Sequence, residues 1–308
     1  MDSIRDIVIC GPDGSGTSTQ VNDAISYFQD HAKRVKDMRG TEIDALFHAE
    51  RFKDINNSHI SLKYFLNDPD VRTQLKSDFL FEAYELLSNL KIASMQDNDI
   101  STYIDPESAD AWIFEEPAKR GAGQTNRTLE LNRSHYGSST DHISASMSHQ
   151  TYRNDEYFRF RKPIRDSESI IVRSRCEESG AYDVGDDEYH PKGMSRQEYL
   201  SLPGHKTAFS NPPTHLFVVC GPKDWSIEDY LDFKGIRLAG RQLDDFEMDY
   251  EYQLMVNYRY ASDWIDRLYE EACDMFGSNP PEISRFNIQD SKEDIRTAMY
   301  EKLDKIVS

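Results

Sequence analysis

Long hydrophobic runs are missing from this chain. No apolar stretch in its 308 residues approaches the roughly 20 residues of a membrane helix, so a membrane partner is not expected. Cysteine is scarce. Cys10, Cys176, Cys220 and Cys273 stand far apart without a CxxC pair, which argues against a disulfide framework or a zinc site and fits a reducing compartment. The nine histidines show no HExxH spacing. Positive charge is also short: 36 Lys and Arg against 55 Asp and Glu leave a net charge of −19. Such a surface repels phosphate backbones and argues against general DNA or RNA binding. It keeps a protein soluble, and it also suits a high-salt habitat. Asp2, Arg5 and Asp6 surround the first short apolar stretch, unlike the layout of a secretory signal. A cytoplasmic protein is expected.

What is present is globular in composition, with 38% hydrophobic and 11% aromatic residues. The length suits one large α/β domain with insertions. Apolar runs predict strands at 4–10, 111–114, 169–172, 215–220 and 283–288. Helical spacing predicts helices at 18–31, about 143–161, most of 226–275 and about 292–306, the last capped by Ser291. Strands alternating with helices predict a three-layer α/β fold, a parallel sheet flanked by helices on both faces. Residues 36–109 read as a helical insertion, with Leu75, Phe79, Ala83, Leu86 and Leu90 at helical spacing. The stretches 118–141 and 183–212 read as loops, the second as a loop insertion.

The first strand runs into Gly11-Pro12-Asp13-Gly14-Ser15-Gly16-Thr17-Ser18. Glycines at these positions let successive backbone N–H groups point at one anion. The helix that follows adds the positive end of its dipole. The spacing is that of a P-loop, with Gly11, Asp13, Gly14, Ser15, Gly16, Thr17, Ser18 and Thr19 as nucleotide-binding residues and Ser18 as ligand to Mg2+. The lysine usual before that serine is missing, and Thr17 stands in its place. Losing one such donor from a reaction site costs on the order of 10²–10³ in rate.

The string Asp13-Gly14-Ser15-Gly16, followed after one residue by Ser18-Thr19-Gln20, resembles the loop of thymidylate kinases. Other segments agree in order. Glu115-Glu116-Pro117 is similar to the family's Arg-Glu-Pro, and Arg173-Ser174-Arg175 to its Asp-Arg-Tyr strand end. Ser179-Gly180-Ala181-Tyr182, the 240–247 segment, Tyr252, Val256 and Tyr258, and Phe286–Asp290 resemble later parts. The resemblance covers most of the chain except 36–109 and roughly 183–210.

The resemblance implies a P-loop NTPase-type fold and transfer of the ATP γ-phosphoryl to a nucleoside monophosphate, dTMP first. ATP is then co-substrate, Mg2+ the metal, nucleotides the partners, and a homodimer stays open. It implies that Asp13 contacts the acceptor sugar and that Glu116, Arg153 and Arg175 hold the acceptor, with Arg173 a rival for Arg175 on the same strand face. Arg237 and Arg241 would bring lid charge in place of the missing lysine. Thr17, Glu115 and Ser174 depart from the family pattern. Two other readings therefore stand beside it. Glu116-Pro117 and Arg173-Ser174 also fit a deoxynucleoside kinase, with Glu116 as general base. The three departures fit a nucleotide-binding protein weakened in catalysis.

Overall fold

The computed structural model describes residues 4–31, 33–39, 105–116, 149–185 apart from 151, 155 and 168, 194–237 apart from 203, and 249–307. The expected helix around 75–90, the loop at 118–141 and the segment 240–247 with Arg241 lie outside these residues.

Six strands form one parallel sheet: β1 (Arg5–Cys10), β2 (Val35–Asp37), β3 (Ala111–Glu115), β4 (Ile170–Ser174), β5 (His215–Cys220) and β6 (Glu282–Asn287). Their order is β2-β3-β4-β1-β5-β6. The described α-helices are α1 (Thr17–Asp30), α2 (Lys162–Arg165), α3 (Gly180–Asp183), α4 (Arg196–Ser201), α5 (His205–Ser210), α6 (Ile227–Arg237), α7 (Tyr250–Ala261), α8 (Trp264–Phe276) and α9 (Lys292–Val307).

Both faces of the sheet are covered, so its strands are apolar on both sides. Ile7 and Ile9 of β1, with Phe217 and Val219 of β5, pack against Val21 and Phe28 of α1 and Ile295 and Met299 of α9. Val8 and Cys10, with Leu216 and Val218, pack the other way against Val256 of α7 and Ile265 and Leu268 of α8. Each such aliphatic side chain contributes roughly 1.5–3 kcal/mol when fully buried. This alternation along β1 and β5 is why the central strands read as unbroken apolar runs.

Several expectations need correction. β2 was hidden in the expected insertion. It is three residues long and only partly buried, yet it pairs Val35, Lys36 and Asp37 with Ala111, Trp112 and Ile113. Residues 36–39 and 105–109 therefore belong to the framework. The expected loop at 183–212 holds α4 and α5. The Ser195 hydroxyl accepts from the Glu198 N–H, and the Glu198 carboxylate accepts from the Ser195 N–H, a capping box among turn-forming residues. The helix expected to stop near 161 runs on through a π turn, Tyr157–Arg161, into α2. The wide turn accommodates Pro163, which lacks the N–H for an ordinary helical bond. Ser291 caps α9 as expected, its hydroxyl accepting from the Asp294 N–H at 3.1 Å.

Because every strand is parallel, their carboxyl ends share one edge. The chain leaves β1 toward β2 and leaves β5 toward β6, so strand order reverses beside β1, the position at which open α/β sheets generally bind ligands.

Candidate functional site

The loop after β1 lies against the end of β5. Gly11 has φ 157°, and a Cβ on it would stand 2.1 Å from the Val219 carbonyl oxygen and 2.6 Å from Ser15 Oγ. Gly14 and Gly16 have φ 81° and 87°. Ser15 N–H donates to the Pro12 carbonyl at 3.0 Å, which closes the turn. Gly16 begins α1 without a side-chain cap, and no acidic residue occupies the first turn. Ser15 Oγ is buried with no hydrogen-bond partner among the described residues. Thr17 is the first residue of α1, and Ser18 and Thr19 are exposed on its first turn. Left-handed glycines, an uncapped helix start and an orphaned hydroxyl together form a cradle for an anion.

Asp13 projects from this loop to pair with Arg175, which follows β4. Gln253 Nε2 of α7 also donates to Asp13, at 3.3 Å. Burial pushes the Asp13 carboxyl up, but the Arg175 charge and hydrogen bond, then Lys234 and Gln253, outweigh it and hold it below its ordinary value. Arg175 takes φ 68°, rare for a residue with a side chain. Its N–H donates to the Ile9 carbonyl at 3.0 Å, and its guanidinium lies 5.2 Å from the Tyr182 ring centroid. The Tyr182 hydroxyl is buried without a hydrogen-bond partner among the described residues.

A second pair stands beside it. Arg153 Nε donates to Glu116 Oε1 at 2.5 Å and its Nη2 to the Cys176 carbonyl at 3.0 Å. Behind Arg153, His205 pairs with Gln150 and with the Tyr199 carbonyl. Arg173 does not join Arg175. The irregular backbone after Ser174 separates their directions, and Arg173 donates to the fully buried Asp6 at 3.0 Å. Arg165 donates to the same carboxylate at 2.5 Å. Nearby, burial works against the Glu177 charge, but Arg173, Arg161 and Arg153 pull its carboxyl down to about 2. Burial and the Glu116 charge push Glu178 the other way.

One helix ties the parts together. Tyr252 of α7 donates to the Tyr182 carbonyl at 2.5 Å, and Gln253 reaches Asp13. Asn257 accepts from the Gly221 N–H at 2.8 Å and donates to the Pro222 carbonyl at 3.1 Å, fixing the turn after β5. Arg259 donates to the carbonyls of Ala181 (2.9 Å) and Val184 (2.5 Å). Sequence reasoning missed Gln253, Asn257 and Arg259. Their signal was polar residues repeated on a helix flank that is buried, where each needs a partner. It also missed Lys234. Arg237 ends α6, and Arg241 lies outside the described residues.

Among the described residues, no group of three or more His, Cys, Asp or Glu could hold a metal ion. Magnesium bound mainly through phosphate oxygens and waters needs only one or two protein ligands, and the exposed Ser18 hydroxyl fits that need. Among the described residues no helix is long and apolar enough to cross a membrane. In comparisons with known proteins, no family model matches the chain, and no curated protein sequence matches it.

Proposed function

We propose that the chain is a P-loop nucleoside monophosphate kinase similar to thymidylate kinases, moving the γ-phosphoryl of ATP to a nucleoside monophosphate, dTMP first. The observation that carries this reading is the juxtaposition of the glycine cradle and the Asp13–Arg175 pair at the end of the central parallel strand. One binds a phosphate chain, and the other presents an acceptor-holding carboxylate and guanidinium beside it. On this reading the backbone N–H groups of Gly14, Gly16, Thr17 and Ser18 and the Ser15 hydroxyl hold the ATP phosphates, the Ser15 N–H being taken by the Pro12 carbonyl. Asp13 accepts a hydrogen bond from the acceptor sugar. Arg175 and Arg153 meet the acceptor phosphate and base, and Glu116 keeps Arg153 in position. Mg2+ on Ser18 would neutralise charge on the transferred group. Most of the barrier is lowered by positioning and fixed charge rather than by covalent chemistry.

The test is phosphoryl transfer from Mg·ATP to dTMP, with thymidine, dUMP and dCMP in parallel. Transfer to dTMP supports the proposal. Transfer only to thymidine would assign a nucleoside kinase, with Glu116 as general base.

One observation favours the weaker-catalysis reading. Both acceptor-binding arginines are already paired with carboxylates of this chain, Arg175 with Asp13 and Arg153 with Glu116. Nucleotide binding without transfer to any acceptor would decide for it.

A further inference from the structure

A buried lysine stands on the helix that follows β5, the strand against which the glycine-rich loop is packed. Lys234, in the middle of α6, is 3% exposed, and its ammonium lies 5.3 Å from the ring centroid of Tyr230, one turn earlier. Contacts lead from the glycine-rich loop to this helix. Gly11 is packed onto the Val219 carbonyl at the end of β5. Two residues later Gly221 is packed onto Trp225, whose ring would meet a Cβ there at 2.1 Å. Trp225 in turn packs against Tyr230 and Phe233 of α6, with ring centroids 6.0 and 5.1 Å away. Asn257 holds the turn between β5 and α6 by both the oxygen and the nitrogen of its side-chain amide. The start of α6 is fixed by Ser226 and Asp229, which cap each other. The helix that carries Lys234 is therefore positioned by the same strand end that supports the phosphate cradle.

We propose that Lys234 supplies from α6 the positive charge that a lysine at position 17 would bring to the phosphates of a nucleotide on this loop. A buried ammonium is costly unless an anion is near. Asp13 of the loop is one such anion, since the Lys234 charge helps hold its carboxyl below the ordinary value. A triphosphate in the same cradle brings more negative charge to the same place. The four-carbon stem of lysine lets the ammonium move from one to the other. Thr17, at the start of α1, carries no charge. Lys234 lies one turn ahead of Arg237 on α6.

The inference rests on the phosphate-loop part of the proposed function, and the experiment separates the two. Mg·ATP, inorganic triphosphate and adenosine are titrated calorimetrically into the full chain, Lys234→Met, Lys234→Arg, and Lys234→Met combined with Thr17→Lys. Lys234→Met should weaken Mg·ATP and triphosphate about 10- to 100-fold and leave adenosine unchanged. It should slow transfer to dTMP about 10²-fold. Lys234→Arg should retain most of the affinity, and Thr17→Lys should restore it in the Met background. If the Met variant does not fold, Lys234→Gln, which removes the charge and keeps part of the stem, replaces it. A folded Met or Gln variant that binds triphosphate as tightly as the parent overturns the inference. So does a loss that Thr17→Lys does not restore, which would leave Lys234 as a partner of Asp13 alone. A parent chain that binds neither Mg·ATP nor triphosphate sinks the phosphate loop and the lysine together. Lysine-dependent binding without transfer to any acceptor keeps the lysine and sinks only the kinase.

Discussion

Arg175 reaches Asp13 from a backbone that a side chain rarely adopts. Its φ of 68° turns the chain just after β4, so that the guanidinium meets the loop after β1 instead of continuing along the face shared with Arg173. Left-handed backbone at a residue other than glycine costs on the order of 1 kcal/mol. The ion pair and the Tyr182 ring hold it there. Arg175→Gly should relieve the backbone strain and lose the pair, so its melting temperature should stay near that of the parent. Arg175→Ala keeps the strain and loses the pair, and should be less stable than the glycine variant by about 1 kcal/mol. Both should lose acceptor affinity. Equal stabilities in urea unfolding would remove the strain argument.

Gly11 and Gly235 make opposite predictions for the same substitution. A Cβ at Gly11 would stand 2.1 Å from a backbone oxygen of β5, whereas one at Gly235 meets nothing within 4 Å. Gly11→Ala should destabilise by more than about 2 kcal/mol and abolish nucleotide binding. Gly235→Ala, on the exposed side of α6, should stabilise by about 0.5–1 kcal/mol. Thermal melts of the two variants check both.

Asn257 satisfies one donor and one acceptor of the Gly221–Pro222 turn. Asn257→Ala leaves both without that partner and should cost about 1–3 kcal/mol. Asn257→Asp keeps the acceptor for Gly221 but faces the Pro222 carbonyl with a second oxygen, so it should not rescue. A fully stable aspartate variant would mean that the Pro222 contact contributes nothing.

Asp6 is buried between Arg165 and Arg173. Burial pushes its carboxyl up, yet Arg173, Arg165 and Arg161 outweigh that and hold it below its usual value. A carboxylate lowered on folding stabilises the protein above its unfolded pKa. That contribution is lost as pH falls through the folded value. Asp6→Asn leaves buried arginines without their counter-charge and should cost about 3–5 kcal/mol at neutral pH, read from the shift of the urea midpoint.

His205 sets the other acid limb. Burial, with the Arg153 charge beside it, pushes its pKa down from 6.5 to about 3. The neutral ring is the folded form, so this stability is complete above about pH 6.5 and falls as pH drops toward 3. The slope approaches about 1.4 kcal/mol per pH unit. His205→Gln should flatten urea-midpoint profiles between pH 6.5 and 4. An unchanged slope would mean that the ring does not titrate with unfolding.

Much of the scaffold could be read from the residues. Runs such as Ile7-Val8-Ile9-Cys10 and Leu216-Phe217-Val218-Val219-Cys220 are apolar on both faces because helices cover both sides of a parallel sheet, and pattern alone identifies that. The glycines of 11–16 announced a left-handed loop before a helix, and φ at Gly14 and Gly16 agrees. β2 was not legible, because three half-exposed residues carry no period. The helices α4 and α5 were hidden among glycine, proline and acidic residues, whose turn signals outweigh a short capped helix.

The candidate site was only half legible for a different reason. Local sequence determined the cradle, because backbone freedom is a property of the residues themselves. Which charges face it was decided by tertiary structure. Asp13 meets Arg175 across 162 positions and Gln253 across 240, and Arg173 is drawn to Asp6 across 167. A charge buried far from water must find its partner wherever the fold brings one. Spacing along the chain cannot reveal that choice, and the burial of Lys234 on α6 is likewise a product of packing.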